Sequence, residues 1–363
     1  MIPAARRCLA FAGLALMIIP AVFPAGDEPA RSRPLRPGES GKVNSIPRGA
    51  TSGVRLGGIE YVDAAAFGAR FNLSFQDAAG NKFLLKNAGV TLAFEVDSRE
   101  AAINGQRVFL GEAVRFSKGK PQLSRIDAES LLTPILRPGT GERKRPALKL
   151  IALDPGHGGK DSGKVNSRVG IYEKTAALDM AERLKKLLEA QGYRVMMTRT
   201  RDRFVELADR AEIARKAGAD LFISLHYNSV EKSAHQVTGV EVFTMTPRWQ
   251  HSTADVERDD DMVKVDNPGN EHDHWNTLLG YYMHRELLHD LKAPDRGFKR
   301  ARWAVLRLAS CPAVLIEAGY LSSDAEARKI ATPAYRQQIA GAIADGVRAY
   351  AVMLNGSGVR PPN

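Results

Sequence analysis

Four polar side chains stand where buried elements of this sequence begin or end, and their types suit metal-assisted chemistry. His157 follows one apolar stretch, His226 ends a second, and Glu317 ends a third. Glu173 begins a helical pattern that belongs to the same layer. Because the carboxyl ends of strands in an open α/β sheet converge on one crevice, we expect the four side chains to meet.

Two imidazoles and one carboxylate are a common ligand set for catalytic Zn²⁺, in which a fourth position stays open for water. A second carboxylate would then be free to act on that water. The glycines around His157, in DPGHGGKDSG (154–163), let the backbone turn sharply and let a substrate approach closely. Singly, each residue also has a structural explanation, such as a hydrogen-bonded His or an acid that stabilises a helix start. Their joint occurrence at equivalent positions favours a site.

The elements that must position these residues alternate between strand and helix from residue 148 onward. Amphipathic helices are predicted at 173–192 and 333–354, and a short strand at 303–307. This alternation predicts an α/β fold, with a mostly parallel twisted sheet and helices on both faces. We assign the domain to 148–355. Within it, the polar insert 244–275 lacks periodicity, and such long connections are usually functional lids or disordered inserts.

The preceding residues have a different pattern. Short alternating stretches predict a small β-rich domain at 57–140, with a hairpin at the Asn-Gly pair 104–105 and a short helix at 127–136. Stretches rich in Pro, Gly, Ser or Arg predict linkers at 26–56 and 141–147. A basic start followed by an apolar run predicts that residues 1–25 are a signal peptide or an N-terminal anchor. We therefore expect an exported protein of the periplasm or cell envelope.

The charge and cysteine content narrow the class of partner. The chain has 363 residues and a net charge of +11. Residues 1–56 hold eight Lys or Arg against three Asp or Glu, so nearly half of the excess positive charge lies before the predicted domains. The positive charge on the remaining residues suits an anionic polymer as partner, but no basic-aromatic cluster points to nucleic acid. We expect membrane contact only if the N-terminal segment is not cleaved, and no internal disulfide if cleavage leaves Cys311 alone.

Five motifs in order carry a family resemblance: DPGHGGKDSG, YEK, TRTRDRFVELADR, SLHYN and PAVLIEAGYLSS. Together they resemble the zinc-dependent N-acetylmuramoyl-L-alanine amidases of the Amidase_3 type, over roughly residues 148–355. The resemblance implies that His157, Glu173 and His226 bind zinc and that Glu317 is the catalytic carboxylate. It also implies hydrolysis of the amide between the lactyl group of N-acetylmuramic acid and L-alanine in peptidoglycan.

Other residues of these motifs have open interpretations. Asn228, two residues after His226, is a candidate substrate contact, although packing of the strand end would explain it equally well. We expect Arg199, Arg201 and Arg210 to be salt-bridge and helix-surface residues rather than catalysts. The segment 57–140 resembles the N-terminal domain of copper amine oxidases, but it contains no His or Cys for a metal.

In some relatives, an insert at the place of 244–275 forms an autoinhibitory helix that a partner protein must move. An activator protein acting on this insert is therefore a candidate partner. Acidic residues that could supply an inhibitory carboxylate are Glu257, Asp259, Asp260 and Asp261. A mobile lid or plain loop explains the segment equally well, because its helical periodicity is poor.

Two other functions are compatible with the sequence. The first is a zinc amidohydrolase that acts on soluble muropeptides or on another acyl-amide. The second is a non-catalytic wall-binding regulator, against which the presence of all four site residues argues.

Overall fold

The computed structural model describes residues 53–140, 145–233, 235–253 and 263–356, and the structural statements below concern these residues. The predicted leader 1–25 lies outside them, as do most of the predicted linkers 26–56 and 141–147. No described helix combines the length and apolar character that crossing a membrane requires.

Strands dominate the first part of the chain. They are β1 Val54–Leu56, β2 Ile59–Asp63, β3 Ser74–Asp77, β4 Lys82–Lys86, β5 Thr91–Glu95, β6 Glu100–Ile103, β7 Gln106–Phe109, β8 Arg115–Ser117 and β9 Lys120–Ser124. The later strands are β10 Leu150–Pro155, β11 Val165–Asn166, β12 Ile171–Tyr172, β13 Arg194–Met197, β14 Leu221–Asn228, β15 Val240–Met245, β16 Asp295–Ala301 and β17 Ala313–Tyr320.

Helices connect the later strands and flank the earlier ones. They are α1 Ala64–Ala69, α2 Arg125–Asp127, α3 Thr133–Leu136, α4 Glu173–Ala190, α5 Leu207–Ala217, α6 Asp273–Leu291, α7 Ala304–Arg307, α8 Asp324–Ala331 and α9 Pro333–Leu354. A π-helical turn at Ala128–Leu132 joins α2 to α3, and 3₁₀ turns lie at Pro138–Thr140 and Pro268–His272. The helices predicted at 127–136, 173–192 and 333–354 are thereby confirmed.

Eleven of the described strands form one sheet, in the order β13-β10-β14-β17-β15-β16-β7-β6-β5-β4-β3. β13, β10, β14 and β17 run parallel, whereas β15 is antiparallel to β17. Helices pack on both faces. On β14, for example, Leu221 and Ile223 join the apolar cluster that includes residues of α4 and α9, while Phe222 joins a cluster with residues of α5 and α7. The predicted fold class is confirmed.

The prediction of a strand at 303–307 is wrong. Residues Ala304–Arg307 form helix α7, and the strand of this region is β16, whose sequence DRGFKRA is too charged to be recognised by its pattern. β16 tolerates these side chains because neighbouring elements provide partners for them. Arg300, for instance, is 1% exposed and lies 2.6 Å from a carboxylate oxygen of Asp127.

The β-rich segment extends the sheet of the later strands. β7 pairs with β16 at Val108 and Phe298. β6 precedes β7 and is joined to it by the hairpin at Asn104 and Gly105. Both hairpin residues have positive φ, 51° and 81°, as the predicted tight turn requires. Four other strands form a separate sheet in the order β1-β2-β9-β8. The domain bounds 57–140 stay a prediction.

The strand ends that carry the candidate site and the ends of the insert 244–275 lie at opposite edges of the sheet. The carboxyl ends of β10, β14 and β17 define what we term the site edge. Because β15 is antiparallel to β17, its end at Met245 lies at the opposite edge. The insert 244–275 begins and ends there: Asn270 donates to the carbonyl of Thr246 (2.9 Å), and Asn276 accepts from the N–H of Ala313 (2.9 Å).

Candidate metal centre

His157 lies in the glycine-rich turn that follows β10. Its φ of 58° is in the left-handed region, which is uncommon for a residue with a side chain. Its Nδ1 is 2.8 Å from Oδ2 of Asp161, and its Nε2 is 3.0 Å from Oε1 of Glu173. The contact with Asp161 fixes the orientation of the ring, so that Nε2 is the nitrogen that faces the centre.

Glu173 is the first residue of α4, and it is buried. Its Oε2 accepts a hydrogen bond from the N–H of Lys164 (2.8 Å), and its Oε1 accepts one from the N–H of Tyr227 (3.1 Å). These main-chain donors hold the carboxylate between the turn after β10 and the end of β14. The carboxylate therefore cannot rotate away from the centre without losing both bonds.

His226 lies on β14, and its ring contacts the carboxylate of Glu173. Its Nδ1 is 3.0 Å from Oε1 of Glu173. Its ring lies against Gly156, where an added Cβ would be only 2.2 Å from the ring atom Cε1. The rings of His157 and His226 are perpendicular to within about 10°, at an interplanar angle of 80°, with centroids 5.0 Å apart.

The donor atoms of His157, Glu173 and His226 all lie within 4.8 Å of one another, and they form the metal-ligating group found among the described residues. Zinc bonds to nitrogen and oxygen are roughly 2.0–2.2 Å long, so tetrahedral ligands lie roughly 3–4 Å apart. The donor spacing and the His₂Glu composition both fit such an ion. A carboxylate on the outer nitrogen of a ligating His, as Asp161 provides here, is a common feature of zinc sites.

The pKa values at the centre reflect the mutual contacts of these groups. Burial alone would raise the pKa of Glu173, but hydrogen bonds to His157 and His226 outweigh it and hold that pKa well below its ordinary value. Burial lowers the pKa of His157, whereas Glu173 and Asp161 raise it, and the net shift is upward. Glu173 is thus an anion, ready to bind a cation.

Glu317 lies on β17, directly across from His226 on one neighbouring strand and from Glu241 on the other. It is 9% exposed, and its Oε2 has no hydrogen-bond partner among the described residues. Burial, followed by the charges of Glu173 and Glu241, raises the pKa of Glu317 well above its ordinary value. A buried carboxyl with a free oxygen beside a metal centre has the features of a general base.

Glu241 binds three side chains next to Glu317. It accepts a hydrogen bond from Nδ2 of Asn228 (2.7 Å) and one from the hydroxyl of Tyr320, and its Oε2 is 2.5 Å from Nζ of Lys299. The amide of Asn228 is therefore engaged with Glu241. Its role as a substrate contact stays a prediction.

Some residues around the centre were not singled out by sequence reasoning. Asp161 and Glu241 are examples. Of the two, only Asp161 could have been found from the sequence, because it lies four residues after His157.

Arg210 does form the expected salt bridge, to Asp154 at 2.9 Å, but it is 2% exposed and not on the helix surface. Arg199 is 1% exposed and has no acidic partner among the described residues. The acidic residues of the insert, at 257 and 259–261, lie outside the described residues.

The chain is similar to known N-acetylmuramoyl-L-alanine amidases. Residues 151–349 match the family model Amidase_3, described as N-acetylmuramoyl-L-alanine amidase. The chain is 33% identical over 233 residues to the amidase AmiA of Salmonella typhimurium, a match that covers 57% of this chain and 78% of that protein. It is 32% identical over 277 residues to AmiC of Neisseria meningitidis serogroup B, covering 70% of this chain and 62% of that one.

A solved structure is also similar. The amidase AmiC2 of Nostoc punctiforme is 32% identical, with a TM-score of 0.47, and the match covers 56% of this chain and 98% of that one. The family match spans more than half of the 363 residues and includes both histidines and both glutamates of the predicted site. The chain therefore belongs to the Amidase_3 family of N-acetylmuramoyl-L-alanine amidases.

Proposed function

We propose that this protein is a zinc-dependent peptidoglycan amidase. It hydrolyses the amide between the lactyl group of N-acetylmuramic acid and the L-alanine of the stem peptide, in cell-wall remodelling or cell separation. The observation that carries the proposal is the convergence of His157, Glu173 and His226 beside Glu317, a buried carboxyl with one unpartnered oxygen. Metal-dependent hydrolysis of an unactivated amide uses this combination of a cation site and a base.

The roles of the residues follow from their positions. His157 through Nε2, Glu173 through its carboxylate and His226 through Nδ1 would hold the ion. Zinc, when bound there, supplies a Lewis acid that activates water and polarises the scissile carbonyl. Asp161 keeps the ring of His157 in the binding orientation.

Glu317 moves the proton. Its carboxylate accepts the proton of the attacking water as the new C–O bond forms, and it then donates that proton to the alanine nitrogen as the C–N bond breaks. The products are the lactyl carboxylate and a peptide with a free amino group. A raised pKa suits both steps, because the group must first accept the proton and later hold it for the leaving amine.

The test is mass spectrometry of the products from purified sacculi. We expect peptides that begin with a free L-alanine, and sugar strands that keep an intact lactyl carboxylate. A chelator should abolish their release, and added zinc should restore it. If only soluble muropeptides are cut, the first alternative function is correct. If neither substrate is cut and the protein holds no zinc, the non-catalytic wall-binding regulator is favoured.

Glu317→Gln tests the assignment of the base. The amide cannot accept the proton, so we expect turnover to fall by about 10²-fold or more while zinc stays bound. The control is Glu189→Gln on an exposed part of α4, which should retain wild-type turnover and zinc. Full turnover by Glu317→Gln would show that the base is another group.

The substrate places the active protein outside the cytoplasm. We propose that residues 1–25 direct export to the periplasm or envelope, where the wall is. Fractionation of cells that produce the full chain checks this proposal, and a cytoplasmic pool of active enzyme without an exported one would contradict it.

We also propose that a partner protein acts on the insert 244–275. Because both described ends of the insert lie at the edge opposite the site, such an effect would reach the centre through the insert's remaining residues or through β15. Deleting 254–262 keeps the contacts of Thr246 and Asn270 described above. If the insert inhibits the enzyme, the deletion should raise the activity of the purified protein without any partner. Unchanged activity would exclude this form of regulation.

A further inference from the structure

Arg199, which follows β13, is buried, and its guanidinium contacts the main chain beside His157 and Glu173. Its Nε donates to the carbonyl of Pro155 (3.0 Å), and its Nη2 donates to the carbonyls of Gly156 (2.7 Å) and Lys174 (2.7 Å). Its Nη1 makes a longer contact with the carbonyl of Arg201 (3.4 Å). Every hydrogen bond of this side chain to a described residue therefore ends on a main-chain oxygen.

This arrangement is costly for the stability of the fold. Burial of a cation without an anionic partner is unfavourable, and carbonyl dipoles compensate for it only in part. The neighbouring Arg210 has Asp154 as a partner, whereas Arg199 has no carboxylate within ion-pair distance among the described residues. A buried charge of this kind calls for an explanation other than stability.

The positions of the carbonyls supply the explanation. Gly156 immediately precedes the ligand His157, and Lys174 immediately follows the ligand Glu173. A single nitrogen of Arg199 thus links the two chain segments that carry the first two metal ligands. Other hydrogen bonds join the turn after β10 to α4 farther along the turn, such as those from Lys174 to the carbonyls of Gly159 (2.9 Å) and Ser162 (3.2 Å). Arg199 adds the link at Gly156, on the other side of His157.

A second guanidinium fixes the turn itself. Arg210 donates through Nη1 to the carbonyl of Pro155 (2.8 Å) and through Nη2 to that of His157 (2.8 Å). The left-handed φ of His157 is a conformation that surrounding contacts must enforce. Together the two arginines bind the successive carbonyls of residues 155–157 and hold the backbone of the turn that carries His157.

We propose that Arg199 is a positioning residue that holds His157 and Glu173 at coordination spacing and thereby sets the affinity of the centre for zinc. The inference rests on the proposed function only in taking zinc as the ion. Arg199 acts through the ligands and does not contact substrate.

The test measures zinc affinity of the purified full-length chain by competition with a chromophoric chelator. Arg199→Met removes the donors but fills similar space, and the dissociation constant should rise about 10- to 100-fold, as for other residues that orient metal ligands. The visible spectrum of the cobalt-substituted protein should change as well, because it reports the geometry of the ligands. Arg201→Met is the matched control: this side chain is exposed in the same loop, and we expect wild-type affinity and spectrum.

The outcomes separate this inference from the proposed function. If the wild type binds zinc and a folded Arg199→Met variant binds it within twofold with an unchanged cobalt spectrum, this inference alone is overturned. If the wild type binds no zinc, the proposed function fails and this inference with it. Should Arg199→Met not fold, Arg199→Gln decides: its amide nitrogen can replace Nε but not Nη2, which links Gly156 to Lys174, so weakened affinity supports the proposal and wild-type affinity overturns it.

Discussion

Two buried carboxyl groups beside the candidate metal centre face each other on adjacent strands. Glu317 on β17 lies across from Glu241 on β15, and the charge of Glu241 contributes to the raised pKa of Glu317. Lys299 and the hydroxyl of Tyr320 hold Glu241 in place. The proposed base Glu317 therefore has a neighbour whose charge raises its pKa.

Glu241→Gln tests this adjustment. Glu317 must lose its proton before it can act as a base, and the anionic Glu241 opposes that loss. Removing the charge should lower the pKa of Glu317, so the acid limb of the profile of kcat/KM against pH should move to lower pH. The exposed Glu189→Gln should leave the profile in place, and an upward shift in Glu241→Gln would contradict the argument.

The residues of the site were predictable to different degrees. His157, His226 and Glu317 could be found because strand ends in a parallel sheet converge, and Glu173 because it begins a helix in the same layer. Glu241 could not be found in this way. Its role arises from antiparallel register with β17, which brings residues 76 positions apart side by side and leaves no local pattern.

At the scale of the elements, the turn after β10 determines how closely strands and helix can approach the ion. Gly156 has the ring of His226 where another residue would have its Cβ. Gly163, with a φ of 60°, has Oε2 of Glu173 at 2.6 Å from that position. Glycine is required at both points because the ligands occupy the space of a side chain.

Gly156→Ala tests the steric argument. The new methyl group would lie 2.2 Å from Cε1 of His226, so the ring must move away from the other ligands. We expect a folded protein that loses zinc more readily, as measured by metal content after dialysis. Gly341→Ala on α9 is the control, since no atom lies within 4 Å of its added Cβ, and helix propensity alone should stabilise it by up to about 1 kcal/mol. Wild-type zinc retention in Gly156→Ala would contradict the expectation.

Periodicity identified the elements that bury an apolar stripe and failed for one that does not. The helices α4 and α9 were predicted to within two residues at each end because their apolar spacing is regular. β16 was missed because its charged side chains, such as Arg300 and Lys299, are paired with residues far away in sequence. Its identity as a strand comes from its two neighbours in the sheet rather than from its own composition.

For the whole molecule, the notable feature is a buried ionic cluster where the β-rich segment meets the later strands. Asp127, after β9, accepts hydrogen bonds from Arg300 of β16 (2.6 Å) and from Gln250 of the insert (2.8 Å). It also accepts them from the N–H of Gly111 and the hydroxyl of Ser124. One carboxylate thus joins three parts of the chain.

Asp127→Asn should destabilise the protein strongly. It leaves the buried Arg300 without its anion, and breaking a buried pair in this way costs about 3–5 kcal/mol of unfolding free energy. Asp97→Asn, which breaks an exposed pair with Arg115, should cost less than about 1 kcal/mol. Denaturant unfolding of the two variants checks the difference, and equal midpoints would contradict it.

Composition predicted a small domain between linkers, but it could not show that this segment shares a sheet with the rest. The pairing of β7 with β16 joins residues 190 positions apart, and linker-like sequences on either side carry no information about it. The same lack of local signal applies to the contact between Asp127 and Arg300. Long-range pairing of this kind is visible only in three dimensions.

The junction between β7 and β16 has a practical consequence for anyone who isolates the catalytic half. A fragment of residues 148–355 would lack β7, and β16 would become an edge strand of its sheet. Such edges pair readily with other chains. We expect the fragment to self-associate in sedimentation experiments at concentrations where the full chain does not. The β-rich segment would then serve to move the edge of this sheet from β16 to β3, a strand of only four residues.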